Sequence, residues 1–300
     1  MSLAPFLALA IAVPLCWALV PLGIRVAWTI GWLDHPEARK LHTAAMPVLG
    51  GAIVFVSAVI AWAITLARIP HAAADWQAWY LLAGAALMLV VGLIDDRFGM
   101  APNLKMLGQA AAASLLIPAG LVPDLGLPIG IEAAITLVAL IGLMNAVNFL
   151  DNMNGMVGGL SAILLAAFAW NSHQRGADGV AAAQLALSGA CAGFLPHNFP
   201  KARIFLGDAG SLFLGYSLGA SALLAMRGAP PGWGRSWRCE ARPRVGGRPV
   251  RCSCSRTRPS TWCSWSSPAS VTVARCPRAA RTTPTTDLRV YCDVRSEPFC

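Results

Sequence analysis

Long apolar segments that contain few charges recur over the first three quarters of the chain. A helix needs about 20 mostly apolar residues to cross a bilayer core of ~30 Å, and as few as ~17 can suffice. Segments of roughly this size lie at residues 3–28, 49–67, 79–94, 104–121, 129–149, 156–170, 180–195 and 211–226. Several are short and rich in Gly and Ala, which is typical of helices packed inside a bundle. The pattern predicts an all-α, polytopic membrane helix bundle with about eight spans.

The loops between these segments fall on alternate sides of the membrane, and the two sides differ in charge. One side, with its helix ends, carries seven cations and the other carries three; the seven are Arg25, Arg39, Lys40, Arg97, Lys105, Lys201 and Arg203. Positive residues favour the cytoplasmic side. Nearly all of the unusual polar residues lie on this same side, and ionisable groups at a membrane edge are costly and usually functional. We therefore predict a multi-pass protein of the inner membrane whose active site faces the cytoplasm.

The composition agrees with a membrane protein and confines the net charge to one region. Hydrophobic residues make up 56% of the chain and charged residues 12%, whereas ordinary soluble domains are roughly a quarter charged. Disordered, collagen-like and nucleic-acid-binding chains are thereby excluded. The net charge of +9 comes from residues 228–300, because residues 1–227 hold ten basic and ten acidic side chains. We divide the chain into a membrane domain, residues 1–227, and a basic tail, residues 228–300.

Three clusters on the predicted cytoplasmic side could carry chemistry. Asp95 and Asp96 end the third segment; such a pair suits Mg²⁺ together with substrate phosphates, or it is a solvated helix end. Residues 145–155 hold four Asn and one Asp, which favours a polar ligand over a capping loop, because a cap needs only one or two such residues. In residues 197–211, cations precede Asp208, which lies between two glycines; the alternatives are a phosphate site and a basic membrane-edge loop.

Two further groups of cations are open to more than one interpretation. Arg39 and Lys40, close to His42, lie before the second segment, where positive-inside anchoring explains at least one of them. Lys105 and Gln109 are one helical turn apart and share a face. Lys105 either extends to the membrane interface or contacts a phosphate. Together, the acids, amides, glycines and cations of these four loops suit a nucleotide diphosphate with Mg²⁺.

Four motifs follow one another on this side and carry a resemblance to a known family. They read D-x-P-x-x-R-K-x-H-x(4)-P-x-x-G-G from residue 34, D-D at 95–96, N-x-x-N-F-x-D at 145–151 and F-x-G-D-x-G-S at 205–211. Over about residues 25–225 the chain resembles the polyprenyl-phosphate N-acetylhexosamine-1-phosphate transferases, glycosyltransferase family 4. The R-K-x-H loop is more similar to the N-acetylglucosamine branch than to the phospho-N-acetylmuramoyl-pentapeptide branch. The family has about 10–11 spans.

The resemblance implies a reaction and a set of residues. N-acetylhexosamine 1-phosphate, with N-acetylglucosamine the favoured sugar, would pass from a UDP-sugar to undecaprenyl or decaprenyl phosphate, with release of UMP, as the first membrane step of cell-envelope polysaccharide synthesis. Mg²⁺, or alternatively Mn²⁺, would be the cofactor, and the resemblance also admits a homodimer. The resemblance assigns catalysis and metal binding to Asp95, Asp96 and Asp208. Alternatively, Asp95 or Asp96 acts as a base. Metal binding is also assigned to Asp151. Substrate binding is carried to Lys105, Asn148, Asp151, Asn154, Phe205, Arg39, Lys40 and His42.

One position departs from the family pattern. The family usually has a second acid where this chain has Asn154, and an amide carries no charge, which weakens a metal-binding role there. Two rival functions stay open: a phospho-N-acetylmuramoyl-pentapeptide transferase, and an ion-coupled transporter that uses Asp95, Asp96 and Asp208 as ion sites. A transporter would place its carboxylates near the bilayer midplane.

The tail, residues 228–300, lacks Lys and apolar periodicity and holds 13 Arg and seven of the nine Cys. A disordered basic tail is the ordinary interpretation. We prefer an out-of-frame translation. In the shifted frame, each new codon joins the last base of one codon to the first two bases of the next, so a Ser (UC-type), Cys or Trp codon supplies a U at the central position. Codons with a central U encode apolar residues, and residues 261–267 then become an apolar run. On this interpretation the tail forms no compact domain, and the chain is weakly active or inactive.

Overall fold

The computed structural model describes residues 3–34, 45–69, 75–123 and 125–226, together with the backbone of five short strands between residues 244 and 275. By its internal contacts the chain divides into two units, residues 1–230 and 231–300. In the described part of the first unit, each of the eight predicted segments coincides with one helix. The predicted all-α, polytopic membrane bundle is therefore confirmed.

The elements are numbered in chain order. The helices are α1 (Phe6–Ile30), α2 (Gly50–Leu66), α3 (Trp76–Phe98), α4 (Pro102–Ser114), α5 (Ile129–Leu150), α6 (Met156–Gln174), α7 (Asp178–Asn198) and α8 (Gly207–Met226). Strands β1 (Leu33–Asp34) and β2 (Met46–Pro47) pair antiparallel between α1 and α2. The second unit contains the antiparallel pair β3 (Arg244–Val245) and β4 (Arg248–Pro249), and an antiparallel sheet of β5 (Ser253–Cys254), β6 (Trp262–Ser267) and β7 (Ser270–Arg275). The predictions made for the rest of the tail lie outside the described residues.

Helix lengths agree with a membrane bundle, with α4 as the exception. Six of the described helices are long and apolar enough to cross a bilayer, and α2 is a slightly shorter apolar helix of 17 residues. Helix α4 has 13 residues, or ~20 Å at 1.5 Å per residue. The predicted span at 104–121 thus ends early as a helix, because Pro118 has no N–H to donate and Gly120 adopts a φ of +60°. Tight turns continue the segment to Leu121, whose N–H donates to Leu116 O at 2.8 Å.

Helices α7 and α8 form the centre of the bundle. In the most apolar stretch of 18 residues of each helix, 83% of the residues are buried in α7 and 72% in α8, but only 22% in α1 and in α5. Helix α7 packs against α1, α2 and α6, and α8 packs against α3 and α5. Ala and Gly make up nine of the 21 residues of α7, and these small residues let several helices approach one backbone. The large apolar side chains exposed on α1 and α5 are accordingly available to lipid.

Glycines permit backbone contact where α8 meets α2 and α3. A Cβ added to Gly51 would lie 2.3 Å from Gly210 N, and one added to Gly92 would lie 2.3 Å from Ala209 Cα. The chain before α8 runs beside the start of α2, where Gly50 N donates to Phe205 O and Gly51 N donates to Leu206 O. The first turn of α8 is therefore fixed from two sides, and this turn carries Asp208.

Candidate active site

Four helix ends meet at one edge of the bundle, and a lysine joins two of their acids. Lys105 Nζ lies 2.7 Å from Asp95 Oδ2 and 2.7 Å from Asp208 Oδ2. Lys105 is in the first turn of α4, Asp95 is near the end of α3, and Asp208 is in the first turn of α8. The side chains of Lys105 and Asp95 are only 16% and 11% exposed, whereas that of Asp208 is 37% exposed. The cluster is therefore embedded in protein but open on the Asp208 side.

Local structure orients Asp95 toward this cluster. Its Oδ1 accepts a hydrogen bond from Met100 N at 2.7 Å, while its Oδ2 faces Lys105. Helix α4 starts just beyond this point with Pro102 in its first turn, a position that proline favours because no N–H is needed there. The short α3–α4 connection thus returns the chain so that Lys105 contacts Asp95.

Asp208 is held from a third helix as well. Asn148 Nδ2, near the end of α5, donates to Asp208 Oδ1 at 2.6 Å and to Ser211 Oγ at 2.8 Å. Lys105 and Asn148 therefore each contact one oxygen of this carboxylate. Hydrogen bonds to an ionised acceptor are about twice as strong as neutral ones. A cation and an amide therefore hold the Asp208 carboxylate in one orientation.

A pair of amides one turn away joins the helices that carry Lys105 and Asn148. Gln109 Nε2 donates to Asn145 Oδ1 at 3.3 Å, and Asn145 Nδ2 donates back to Gln109 Oε1 at 2.9 Å. Gln109 is fully buried. Because the two bonds run in opposite directions, they set α4 and α5 in one register.

Asp96 faces away from Lys105. Its Oδ1 accepts from Asp208 N at 2.8 Å and its Oδ2 accepts from Ala209 N at 3.0 Å. Successive residues of an α-helix are separated by about 100°, so neighbouring acids reach different partners. The metal-binding and catalytic roles predicted for Asp96 stay predictions.

Asp151 belongs to the same acidic cluster. It directly follows α5, and its N–H donates to Asn148 O at 3.3 Å. Burial raises the pKa of its carboxyl to about 8, and the negative charges of Asp208 and Asp96 act in the same direction. Three acids from the ends of α3, α5 and α8 are thus close enough to influence one another.

The other predicted residues lie at varying places. Asn154 is exposed, and its Nδ2 donates to Pro200 O at 3.3 Å, which ties the α5–α6 loop to the α7–α8 loop. Phe205 is partly buried, and its N–H donates to Pro47 O at 2.8 Å. Arg39, Lys40 and His42 lie outside the described residues. Substrate roles for all five stay predictions.

The glycines on either side of Asp208 lie against protein atoms. A Cβ on Gly207 would lie 2.7 Å from Asp96 Oδ2, and a Cβ on Gly210 would lie 2.3 Å from Leu206 Cγ and 3.0 Å from Gly51 Cα. These glycines make room for protein atoms, and the phosphate site considered for this loop stays a prediction. Gly207 also has a φ of +77°, which favours glycine.

Sequence comparison identifies the family. The profile described as glycosyl transferase family 4 matches residues 78–226, which contain every acid of the cluster. Residues 78–226 of this chain belong to glycosyl transferase family 4. The resemblance inferred from the four motifs is thereby confirmed.

Curated relatives match about two thirds of this chain. A probable undecaprenyl-phosphate N-acetylglucosaminyl 1-phosphate transferase of Bacillus subtilis is 32% identical over 217 residues, covering 69% of this chain and 59% of the relative. A decaprenyl-phosphate N-acetylglucosaminephosphotransferase of Mycobacterium tuberculosis is 34% identical, covering 67% of this chain and 55% of the relative. An undecaprenyl-phosphate alpha-N-acetylglucosaminyl 1-phosphate transferase of Yersinia pestis is 30% identical, covering 64% and 55%. These names agree with the N-acetylglucosamine branch. The chain spans little more than half the length of these relatives.

The donor set of this family 4 site fits a hard divalent cation held partly by substrate. Among the described residues, no group of three or more His, Cys, Asp or Glu side chains is arranged to hold a metal ion. Asp95 and Asp208 nevertheless direct carboxylate oxygens at one shared cation, the Lys105 ammonium. Mg²⁺ commonly binds through one or two carboxylates and completes its shell with water and phosphate oxygens. Two carboxylates are sufficient for that mode of binding.

Sequence reasoning missed several members of the site. Ser211 was counted as part of a motif, but its contact with Asn148 was not foreseen. Asn145 was placed among four amides without a partner, although Gln109 was already known to share a helix face with Lys105. Gln109 and Asn145 are 36 residues apart on different helices, and their pairing depends on how α4 and α5 pack.

Proposed function

We propose that this chain transfers N-acetylglucosamine 1-phosphate from UDP-N-acetylglucosamine to undecaprenyl or decaprenyl phosphate. The observation that carries the proposal is the cluster of Lys105, Asp95, Asp208 and Asn148 at one edge of a membrane bundle. Relatives named for this transfer match 69% and 67% of this chain. A membrane-edge site suits a water-soluble nucleotide sugar that meets a lipid whose phosphate lies at the interface.

The proposed step exchanges one phosphorus–oxygen bond for another. An oxygen of the lipid phosphate forms a bond to the β-phosphorus of UDP-N-acetylglucosamine, and the bond from that phosphorus to the bridging oxygen breaks. UMP leaves with the bridging oxygen, and the polyprenyl diphosphate sugar remains in the membrane. The lipid phosphate is largely a dianion at neutral pH, since its second pKa is about 6, so the step needs no proton transfer.

The main barrier is repulsion between two anionic substrates, and the residues present address it. Lys105 offers a cation at the cluster, and Asn148 directs a donor to the same point. Positioning and charge stabilisation supply most of the catalysis in phosphoryl transfer. Asp95 and Asp208, with Asp151 nearby, would hold Mg²⁺ or Mn²⁺. The bound ion would neutralise charge on the diphosphate.

Two rival functions predict a different placement or a different substrate. An ion-coupled transporter would carry its acids near the bilayer midplane, whereas Asp95, Asp151 and Asp208 lie at or next to helix ends. A muramoyl-pentapeptide transferase would act on a UDP-sugar that carries a peptide. The N-acetylglucosamine names of the relatives favour the smaller sugar.

A cytoplasm-facing site in the inner membrane is part of the proposal. The excess of cations in the loops on the Asp95 side supports this orientation. Cysteine substitutions at Arg203 and at Arg175, which lie on opposite sides in this topology, would report it through labelling by a membrane-impermeant maleimide in intact cells. Labelling of Arg175→Cys alone would support the orientation, and labelling of Arg203→Cys alone would contradict it. A homodimer, also proposed, is tested by the mass of the purified protein in nanodiscs.

Reconstituted protein tests the function directly. The purified chain is incubated with radiolabelled UDP-N-acetylglucosamine, undecaprenyl phosphate and Mg²⁺, and UMP and labelled lipid are measured. We expect both products to form together and to need the lipid and the divalent cation. Asp208→Asn is expected to lower both to a small, measurable residual rate, whereas Asp178→Asn, at the far end of the bundle, is the matched control. Transfer only from UDP-N-acetylmuramoyl-pentapeptide, or ion flux without transfer, would support a rival instead.

The tail calls for a second arm of the same experiment. If residues 228–300 are out of frame, the 300-residue chain turns over slowly, and a chain continued in the alternative frame after residue 227 turns over faster. Binding of UDP-N-acetylglucosamine to the 300-residue chain, measured by thermal shift, is independent of turnover. Absence of both binding and turnover in both chains would refute the proposed function. Full activity of the 300-residue chain would refute the frame interpretation alone.

A further inference from the structure

The two neighbouring acids of α3 use their oxygens in different ways. Asp95 contacts the Lys105 ammonium and thereby the cluster that faces substrate in the proposed function. Asp96 accepts hydrogen bonds from two backbone N–H groups of α8, those of Asp208 and Ala209. Asp95 therefore contacts a charged side chain, whereas these two contacts of Asp96 are with backbone N–H groups.

The contact of Asp96 satisfies a specific need of α8. The first N–H groups of any helix have no partner within the helix, and an acid near them is also favoured by the helix dipole. Asp96 provides one carboxylate oxygen to each of two successive N–H groups in the first turn of α8. The cap of α8 thus comes from α3, 112 residues earlier in the chain.

The surrounding backbone makes this cap a close and rigid one. A Cβ on Gly92, one turn before Asp96, would lie 2.3 Å from Ala209 Cα, and a Cβ on Gly207 would lie 2.7 Å from Asp96 Oδ2. The first turn of α8 consequently has little freedom to move relative to α3. The carboxyl group of Asp208 projects from this same turn to Lys105 and Asn148.

We infer that Asp96 is a positioning residue that acts through Asp208, and that it does not itself contact substrate. This inference rests on the proposed function only for its effect on turnover. Its structural part, the fixing of the Asp208 turn by the Asp96 carboxylate, holds for the protein with any activity. It divides the roles of the adjacent acids: Asp95 belongs to the charged cluster, and Asp96 holds the geometry of that cluster.

Two substitutions of Asp96 separate positioning from a chemical role. Asp96→Asn replaces one acceptor oxygen by a donor that faces an N–H group, and Asp96→Glu keeps the charge but lengthens the side chain. We expect each to lower kcat by about 10²-fold, the size expected for a misplacement of about 1 Å, with KM for the nucleotide sugar nearly unchanged. Hydrogen exchange at residues 207–210 is expected to accelerate in both, and not in the matched variant Asp95→Asn.

A double-mutant cycle with Asp208→Asn completes the test. If Asp96 acts through Asp208, adding Asp96→Asn to Asp208→Asn lowers turnover by no more than about twofold, because coupled residues are not additive. Multiplying losses, or wild-type exchange at residues 207–210 in both Asp96 variants, would overturn the inference. Should the wild-type chain transfer nothing while exchange accelerates in the Asp96 variants, the positioning contact stands and the proposed function fails.

Discussion

Lys105 and Asp208 form an ion pair of 2.7 Å between the first turn of α4 and the first turn of α8. The same ammonium lies 2.7 Å from Asp95. One cation therefore offsets two carboxylates that would otherwise repel each other. Stability and activity are linked at this point, because the same groups keep three helix ends together and face the site.

Replacing Lys105 should expose that repulsion. Lys105→Met is expected to reduce the free energy of unfolding by about 1–3 kcal/mol, less than for a fully buried pair because Asp208 is partly exposed. Mg²⁺ should raise the Tm of this variant more than that of the wild type, since a second cation can replace the first. Differential scanning fluorimetry with and without Mg²⁺ measures both effects. The control is Arg68→Met, which removes an exposed cation just after α2, at the end of that helix far from Asp208. An equal loss of stability and an equal Mg²⁺ effect on the Tm in the two variants would contradict the prediction.

The amide pair of Gln109 and Asn145 should act as a unit. Gln109→Ala and Asn145→Ala are each expected to lower turnover, because the pair sets the register of the helices that carry Lys105 and Asn148. The double variant should be little worse than either single one, with a coupling energy on the order of 1 kcal/mol. Ser114→Ala, on the same helix, is the control because its hydroxyl bonds only within α4. Additive losses would show that the two amides work separately.

Asp151 should make stability depend on pH. Its folded pKa of about 8 lies above the ordinary value of about 3.9, so between these values the folded state keeps a proton that the unfolded state has lost. Stability therefore falls as the pH rises through this window. Asp151→Asn does not titrate and should escape the fall, so its Tm advantage over the wild type should grow from pH 5 to pH 8 without divalent cations. An advantage that is constant with pH would mean that Asp151 is ionised throughout.

Two helix-interior glycines should respond in opposite ways to the same substitution. Gly92→Ala would place a Cβ 2.3 Å from Ala209 Cα, whereas a Cβ on Gly142 meets no atom within 4 Å. Gly142→Ala is expected to stabilise by about 0.5–1 kcal/mol through helix propensity, and Gly92→Ala to destabilise by about 1–3 kcal/mol through overpacking. Thermal unfolding of the two variants in detergent decides this, and a stable Gly92→Ala protein would show that α3 and α8 can separate.

The sequence predicted the helices well, because apolar segments and helix ends are local features. It predicted α4 less well: the apolar segment continues to Leu121, but Pro118 and Gly120 end the helix sooner. Both residues were visible in the sequence and carry a known conformational constraint. Hydrophobicity alone could not show that the segment changes conformation while it stays apolar.

The candidate site was predictable in its residues and not in its contacts. Motifs brought Asp95, Asp96 and Asp208 to one side, but which oxygen meets which donor depends on how α3 and α8 are rotated about their axes. That rotation follows from the packing of Gly92 against Ala209, a contact between residues more than a hundred positions apart. For the same reason, the sequence could not show that Gly207 lies against Asp96 and that Gly210 lies against Leu206.

The distance in sequence between Asp96 and its partner on α8 has a consequence for synthesis in the cell. With 112 residues between them and translation at ~10 residues per second, α8 leaves the ribosome about ten seconds after α3. Until then, the donors that Asp96 accepts from do not exist. The hairpin of α3 and α4 nevertheless carries two acids and two bases, Asp95, Asp96, Arg97 and Lys105. It can therefore enter the membrane as an electrically neutral intermediate, with Lys105 already beside Asp95 when α8 arrives.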